Sequence, residues 1–177
     1  MTSFAVSHLE FRVRDAAAME AFYTDALGFV VTDRGAGAGG MVFLSRSAHE
    51  HHQIVLNPVG DAAGTPDRLD HVAFRVGALA DLRSLHRALA AAGAARLETV
   101  SHGNTWSVYF LDPEGNRLEL FVDTPWHVDQ PVRFAVDFSL PDDKLAAATE
   151  VEIPKRNGFR GVDAWRNDHR ARIDAER

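Results

Sequence analysis

Residues 8–13 read HLEFRV, and residues 71–76, which begin 63 positions later, read HVAFRV. A pattern that returns at a fixed interval indicates that one supersecondary unit is used twice. Each copy opens with a histidine, His8 or His71, at the start of an alternating run that is typical of a strand. Two such units placed face to face would bring both histidines to one central point.

The segment after each histidine strand repeats as well. Residues 16–27 and 79–92 carry apolar side chains at spacings of three and four, which predicts a helix in each copy. Gly28 and Gly93 follow, and glycine is the residue that commonly ends a helix. Three strand-like runs come next in each copy: residues 29–32, 41–45 and 53–57 in the first, and 96–101, 106–111 and 117–122 in the second. Each copy is therefore predicted to have the order β-α-β-β-β.

The bulk composition is that of an ordinary soluble chain. Its 177 residues, 46% of them hydrophobic, indicate one domain or a pair of small modules with a shared core. The net charge of −6 gives no reason to expect a nucleic acid or a membrane as a partner. The absence of cysteine excludes disulfides and thiolate metal sites. No signal peptide or long apolar run is present, so we expect a cytoplasmic protein.

A glutamate near the end of the second copy completes a set of metal-binding residue types. Glu119 lies between two leucines, and burying an unpaired charge among apolar side chains costs free energy, so a partner is expected. Taken by itself, the residue is more simply interpreted as a surface glutamate on a half-exposed strand. The equivalent position in the first copy is Val55, with Gln53 on the same face as a reserve ligand. His8, His71 and Glu119 therefore form a two-histidine, one-carboxylate set. Such a set suits Fe(II) enzymes that bind substrate and dioxygen together, and Mn(II) or Zn(II) as well.

These features resemble the vicinal oxygen chelate superfamily. The resemblance covers about residues 4–123 and is carried by the paired units with their ligand positions, the helix end at residues 22–29 and the turn at residues 112–116. It implies an α+β fold in which two βαβββ modules, about residues 4–58 and 69–123, form a half-open mixed β-barrel around a metal site. We expect residues 1–123 to be this domain and residues 124–177 to be a C-terminal extension.

Three further residues resemble one branch of that superfamily, the type I extradiol dioxygenases. In this branch a histidine pair leads into the last strand of the first unit, and two histidines and a tyrosine surround the open side of the iron. His52, His102 and Tyr109 match these positions. Simple alternation would place His52 and Val55 on opposite faces, so the sequence leaves open whether His51 or His52 faces the site.

The resemblance implies a specific activity. It is an Fe(II)-dependent extradiol dioxygenase, with Mn(II) as the alternative metal, that inserts both atoms of O2 into a catechol-type aromatic diol. His52 would act as general base and then acid, while His102 and Tyr109 would hydrogen-bond the oxygen on which charge develops. The implied partners are a small aromatic diol, O2 and further copies of the chain in a homo-oligomer.

Two other functions stay open. A glyoxalase-, epimerase- or fosfomycin-type lyase, isomerase or transferase of the same superfamily would use Mn, Ni, Co or Zn without dioxygen. A resistance-type protein would bind an aromatic drug without a metal, and the retained His8, His71 and Glu119 argue against it. The metal content of the purified protein separates these functions.

The remaining side chains receive simpler predictions. Histidines in loop or helix surroundings are expected to be solvated: His49, His51, His86 and His169. Three aromatic residues are expected to shape the substrate pocket: Phe43, Trp106 and Phe110. Residues 142–151 and 162–177 are predicted helices of the extension, for which we expect a structural role.

Overall fold

The computed structural model describes residues 4–21, 23–24, 28–36, 40–59, 69–111 and 117–175, with side chains from residue 6 onward. The elements in chain order are β1 (Phe4–Val13), α1 (Ala16–Ala21), β2 (Val30–Arg34), β3 (Val42–Ser45), β4 (Ile54–Pro58), β5 (Leu69–Val76), α2 (Leu79–Ala91), β6 (Ala95–Ser101), β7 (Thr105–Leu111), β8 (Arg117–Asp123), β9 (Trp126–His127), β10 (Phe134–Ala135), α3 (Asp142–Glu152), β11 (Arg160–Gly161) and α4 (Val162–Ala175). The fold is α+β, as predicted. The predicted turn at residues 112–116 lies outside the described residues.

The chain forms two compact units. The first unit comprises Ser7–Val72 and Asp163–Arg177, and the second comprises Met1–Val6 and Ala73–Val162. Helix α4 of the extension thus falls almost wholly in the first unit, and α3 falls in the second. The domain and module boundaries taken from the sequence repeat stay predictions.

The first unit is built on the strand order β5-β1-β4-β3-β2. β1 and β4 run parallel, whereas β3 pairs antiparallel with both β2 and β4. Val13, Val42, Leu44 and Leu56 form the core of this unit, and Met19 of α1 packs against it. The β2–β3 register shifts between Val31 and Asp33, which marks a bulge at the middle of β2.

The second unit has the strand order β10-β6-β7-β8-β5, with the β6, β7 and β8 strands antiparallel. Val108 and Leu120 face each other across β7 and β8 and pack with Leu82 of α2 and Leu145 of α3. Side chains alternate between the two faces of a strand, so the residues next to them point away from these helices. Across the described residues, the strands of neither unit close into a ring, in agreement with the half-open β-barrel that was predicted.

Where the structure describes them, the predicted strands and helices are confirmed to within one or two residues, except that β1 begins at Phe4 rather than at His8. For the first predicted helix, residues 16–27, the structure describes α1 (Ala16–Ala21) and a π-helical turn at residues 23–24, while residues 22 and 25–27 lie outside the described residues. Thr24 donates its hydroxyl to the carbonyl of Glu20, and the backbone N–H of Phe29 bonds the carbonyl of Tyr23. The backbone N–H of Gly28 bonds the carbonyl of Thr24 at 2.9 Å, which is the spacing of a helical hydrogen bond.

Gly28 follows with φ of 67° and Gly93 with φ of 71°, so both glycines take the left-handed conformation expected at a helix end. None of the helices in the described ranges is long and apolar enough to cross a membrane.

Candidate functional site

The two repeat-related histidines meet inside the first unit. His8 on β1 and His71 on β5 are 8% and 5% exposed, and their Nε2 atoms lie 3.0 Å apart. The equal position of each histidine in its strand brings the ring nitrogens to one point. Two imidazole nitrogens at this distance either share a proton or direct both lone pairs at one cation.

The carboxylates around His71 fix the direction of its lone pair. Its Nδ1 lies 3.0 Å from Oδ1 of Asp70 and 4.0 Å from Oε2 of Glu10. Carboxylate oxygens accept and do not donate, so the Nδ1 atom carries the proton. Nε2 of His71 then presents a lone pair toward His8, which is the usual orientation of a metal-binding histidine held by a carboxylate.

Glu10, Asp70 and His71 also form a group of donors that lie within 4.8 Å of one another. Both carboxylates already have partners. Asp70 accepts a hydrogen bond from Arg12 at 2.7 Å, and Glu10 accepts one from the Asn57 amide at 2.9 Å. The positive guanidinium disfavours a second cation at Asp70. This group therefore orients His71 rather than binding a metal itself.

The His8–His71 pair fits a divalent metal. Two nitrogen ligands at about 2.1 Å from a metal lie about 3.0 Å apart when they occupy adjacent octahedral corners. The observed Nε2–Nε2 distance of 3.0 Å matches that geometry. Imidazole donors without a thiolate suit Fe(II), Mn(II) and Zn(II).

His52 is the member of the histidine pair that lies beside His8. Their ring centroids are 4.4 Å apart, and Phe43 packs on His52 at 5.2 Å. His51 stacks instead on Trp165 of α4, with ring centroids 5.3 Å apart.

His51 and His52 lie in a bend that precedes β4. That strand begins only at Ile54, so the alternation of side chains between its two faces does not apply to the two histidines. The side-chain oxygen of Gln53 accepts the backbone N–H of Arg46 at 2.9 Å. Gln53 as a reserve ligand stays a prediction.

Three other predicted site residues lie in the second unit. Tyr109 on β7 and Glu119 on β8 are direct partners across the antiparallel pair. Glu119 is only 2% exposed. His102 follows β6; its Nδ1 donates to the carbonyl of Val132 at 2.6 Å, and its Nε2 lies 3.0 Å from the Tyr109 hydroxyl. A neutral His102 thus offers an acceptor to the phenol.

The surroundings of Tyr109 keep its hydroxyl protonated. Burial raises the pKa of Tyr109 well above its usual range, and the negative charge of Glu119 raises it further. Arg117 and Arg133 lie over the ring at 4.4 and 5.0 Å and oppose this shift. Tyr109 is therefore a hydrogen-bond donor at neutral pH.

Two of the predicted pocket residues point elsewhere. Trp106 donates its indole N–H to Thr149 of α3 at 2.9 Å, and Phe110 packs against the same helix-facing core. Both occupy even positions of β7, whereas Tyr109 occupies the opposite face. The prediction is wrong for these two residues, while Phe43 does lie beside His52.

The predicted exposure of the other histidines to solvent is confirmed for His49, which is exposed. For His169 it is wrong, because this residue is only 1% exposed. Its ring centroid lies 4.8 Å from that of Trp165. The buried residues of α4 lie four positions apart: Trp165, His169 and Ile173. This helical spacing in the sequence was the signal that could have identified the buried face. Burial lowers the pKa of His169 to about 4, with Arg172 adding to the effect. His51 is also half-buried, against the prediction.

Comparisons with known proteins indicate the family of the chain. A sequence profile described as the Glyoxalase/Bleomycin resistance protein/Dioxygenase superfamily matches residues 5–120. The chain is 35% identical over 126 residues to biphenyl-2,3-diol 1,2-dioxygenase 3 of Rhodococcus globerulus, covering 67% of this chain and 63% of that protein. It is 26% identical over 169 residues to biphenyl-2,3-diol 1,2-dioxygenase 2 of the same organism, covering 82% and 84%.

Among solved structures, the Mn(II)-bound glyoxalase of Novosphingobium aromaticivorans is similar with a TM-score of 0.58 and 28% identity. That match covers 76% of this chain and 40% of the glyoxalase chain. The chain therefore spans less than two thirds of the length of several relatives that it matches. Because the superfamily profile matches about two thirds of its length, the chain belongs to the Glyoxalase/Bleomycin resistance protein/Dioxygenase superfamily.

Proposed function

We propose that this protein is an extradiol ring-cleaving dioxygenase. His8, His71 and Glu119 would bind one Fe(II), and the substrate would be a catechol-type aromatic diol into which both atoms of O2 are inserted. The observation that carries the proposal is the buried His8–His71 pair, whose Nε2 atoms converge at 3.0 Å with Asp70 behind His71. Dioxygenases of biphenyl-2,3-diol are among the similar proteins.

Glu119 supports the proposal through its position and burial. Its counterpart in the first copy, Val55, is apolar, so only the second copy supplies a carboxylate at this position. A carboxylate that is 2% exposed is costly unless a cation or hydrogen bonds compensate its charge. A two-histidine, one-carboxylate set leaves coordination positions open for further ligands.

Side chains beside the proposed metal site would carry out the proton transfers. Bound Fe(II) would supply the Lewis acid that lowers the pKa of the first diol hydroxyl and the position at which O2 binds. His52, beside His8, would take the proton of the second hydroxyl and return it later. Phe43 packs on His52 and limits the motion of its ring.

Tyr109 and His102 would act on the oxygen that gains negative charge. The Tyr109 hydroxyl is held protonated by burial and by Glu119, so it can donate a hydrogen bond to an oxyanion. The bond of His102 to the Val132 carbonyl fixes its ring against rotation. The two side chains, 3.0 Å apart, would then exchange their mutual hydrogen bond for one to the substrate.

A second function is a glyoxalase-type reaction with Mn(II), and the likeness to a Mn(II)-bound glyoxalase favours it. That reaction would use a divalent metal but no O2. The half-buried His52 beside His8, together with the His102–Tyr109 pair, favours ring cleavage because it supplies acid–base and hydrogen-bonding groups. A homo-oligomer stays a prediction, which light scattering on the purified protein would test.

The test is O2 uptake by protein loaded with Fe(II) under anaerobic conditions. On addition of 2,3-dihydroxybiphenyl or catechol and air, we expect one O2 consumed for each diol and a yellow ring-opened product. Protein loaded with Zn(II) should show no uptake, and the exposed-site variant His49→Ala should match the parent. Absence of uptake across a broad catechol panel, with turnover of a glutathione hemithioacetal by the Mn(II) form, would replace ring cleavage by the second function.

A further inference from the structure

A line of three polar side chains runs through the first unit behind the candidate acid–base residue. Nε2 of His51 lies 3.6 Å from Oδ2 of Asp33, and Nδ1 of His51 lies 2.8 Å from Nδ1 of His52. None of the three is highly exposed; the side chains of His51 and Asp33 are 10% and 13% exposed. Asp33, His51 and His52 are called the relay below.

The bulge in β2 gives Asp33 its direction. The β2–β3 register shifts between Val31 and Asp33, and Asp33 then pairs with Phe43. Phe43 in turn packs on both histidine rings, 5.8 Å from His51 and 5.2 Å from His52. A bulge re-aims side chains in a way that regular alternation does not allow. Asp33 therefore faces the relay as a consequence of this irregularity.

The C-terminal helix closes the other side of His51. Trp165 of α4 stacks on the imidazole at 5.3 Å with the ring planes 26° apart. Trp165 is 4% exposed and packs on the buried His169. His51 is thus held between Phe43 and Trp165, so its two nitrogens have fixed neighbours.

The neighbours determine which nitrogen of each ring carries a proton. The carboxylate of Asp33 can only accept, so it favours the proton of neutral His51 on Nε2, even though 3.6 Å is longer than a hydrogen bond. Nδ1 of His51 is then a lone pair. In the contact of 2.8 Å, the proton must therefore belong to Nδ1 of His52.

We propose that Asp33 and His51 are positioning residues that hold His52 in the tautomer with its proton on Nδ1, leaving Nε2 as the base. The role of Nε2 as acceptor of the diol proton rests on the proposed function, whereas the tautomer does not. The relay adds an imidazole to the familiar arrangement in which a carboxylate fixes the tautomer of a catalytic histidine. It also gives α4, which has no counterpart in the repeat, a direct part in the site.

The tautomer is tested on the 177-residue chain loaded with Zn(II), whose filled d shell leaves NMR spectra sharp. Long-range ¹⁵N–¹H correlation on ¹⁵N-histidine protein distinguishes the tautomers, and a His52→Gln sample identifies the His52 signals. We expect His52 with the proton on Nδ1 in the parent. We expect Asp33→Asn to shift the population toward the proton on Nε2, since the amide can donate to His51. A parent His52 protonated on Nε2, or no change in Asp33→Asn, overturns the inference.

Turnover of the Fe(II) form distinguishes a positioning role of His51 from a packing role. His51→Phe keeps a ring against Trp165 but removes the acceptor, and His51→Gln keeps an acceptor but removes the ring. If His51 positions His52, His51→Phe should lower kcat by at least about tenfold, part of the about 10²- to 10⁴-fold that a general base contributes. Its KM for the diol and its iron content should stay at the parent values, and His51→Gln should retain most of the turnover.

The reverse order, with His51→Phe active and His51→Gln impaired, would show that the ring matters only for packing and would overturn the relay. His49→Phe on the same loop is the control, because His49 is exposed. If the parent protein shows no ring cleavage, the proposed function is wrong. The NMR result then still shows which nitrogen of His52 carries the proton.

Discussion

The Nε2 atoms of His8 and His71 lie 3.0 Å apart, although 63 residues separate them in the sequence. Each histidine occupies the equivalent position of a repeated strand, so the contact follows from the repeat. The carboxylate of Asp70 lies behind His71 and not behind His8. The repeat thus supplies the two nitrogens, and residues that differ between the copies supply their orientation.

Replacement of His71 by alanine should abolish tight metal binding. The remaining imidazole and carboxylate cannot hold the ion as well, and the loss should exceed the about 10- to 100-fold that removal of an orienting partner costs. Metal per chain after anaerobic loading and desalting measures the effect, with His49→Ala as the matched histidine control. A His71→Ala protein that binds iron as tightly as the parent would show that the proposed ligand set is wrong.

Asp70→Asn should weaken the metal without removing a ligand. The amide keeps the shape of the side chain but loses the charge that holds the proton on Nδ1 of His71. The dissociation constant of the metal should rise about 10- to 100-fold. Asp123→Asn, which disturbs the Arg75–Asp123 ion pair of the second unit, is the control for loss of a carboxylate. Equal metal affinity in both variants would mean that Asp70 does not orient His71.

His52→Gln should retain iron and diol binding but lose turnover. A general acid–base group contributes about 10²- to 10⁴-fold in rate, so kcat should fall within that range. Stopped-flow O2 consumption and iron analysis measure the two quantities separately, and His49→Gln should resemble the parent. If iron is lost together with turnover, His52 is a ligand and the open-position argument for O2 fails.

Gly103→Ala should destabilise the fold more than Gly93→Ala. Both glycines have positive φ, 80° and 71°, so each alanine costs about 1–2 kcal/mol of backbone strain. A Cβ at Gly103 would collide with the side chain of Val128, whereas one at Gly93 meets nothing within 4 Å. Overpacking adds about 1–3 kcal/mol. Urea unfolding of the two variants measures the difference, and equal losses would exclude the collision as a cause.

The buried His169 should make stability depend on pH between about 6.5 and 4. Burial, followed by Arg172 and His51, lowers its pKa in the folded chain from 6.5 to about 4. As the pH falls through 6.5, the unfolded chain takes up a proton that the folded chain accepts only near pH 4. This stability is fully present above pH 6.5 and falls by about 3 kcal/mol as the pH approaches 4.

His169→Leu removes that titration while keeping an apolar side chain against Trp165. The free energy of unfolding, measured in urea at pH 7 and 4.5, should therefore fall less in His169→Leu than in the parent. His49→Gln, at an exposed histidine, should fall as much as the parent. An unchanged pH dependence in His169→Leu would assign the effect to other groups.

Local patterns in the sequence predicted most of the elements. The spacing of Leu82, Leu85 and Leu89 identified α2, and the alternation around Glu119 identified β8, because these periodicities reflect the geometry of a single element. At the first helix, the hydroxyl of Thr24 donates to the carbonyl of Glu20, a side-chain contact that spacing alone does not report.

Side-chain direction required contacts between distant segments. Trp106 and Tyr109 belong to one strand, and which of them faces α2 and α3 is decided by the helices that cover that side. His169 was expected to be solvated, but α4 packs it with Trp165 in the first unit. Sequence spacing identifies a helix face, and it does not identify what covers that face.

The sequence by itself determined the α+β class, the repeated strand order and the candidate residues His8, His71 and Glu119, because a repeat preserves both element order and position within the element. Only the tertiary structure decided that His52 lies beside His8 and that Asp33 and Trp165 enclose His51. Those contacts depend on a bulge in β2, a bend before β4 and the packing of α4, which join segments far apart in the chain and leave no periodic signal in it.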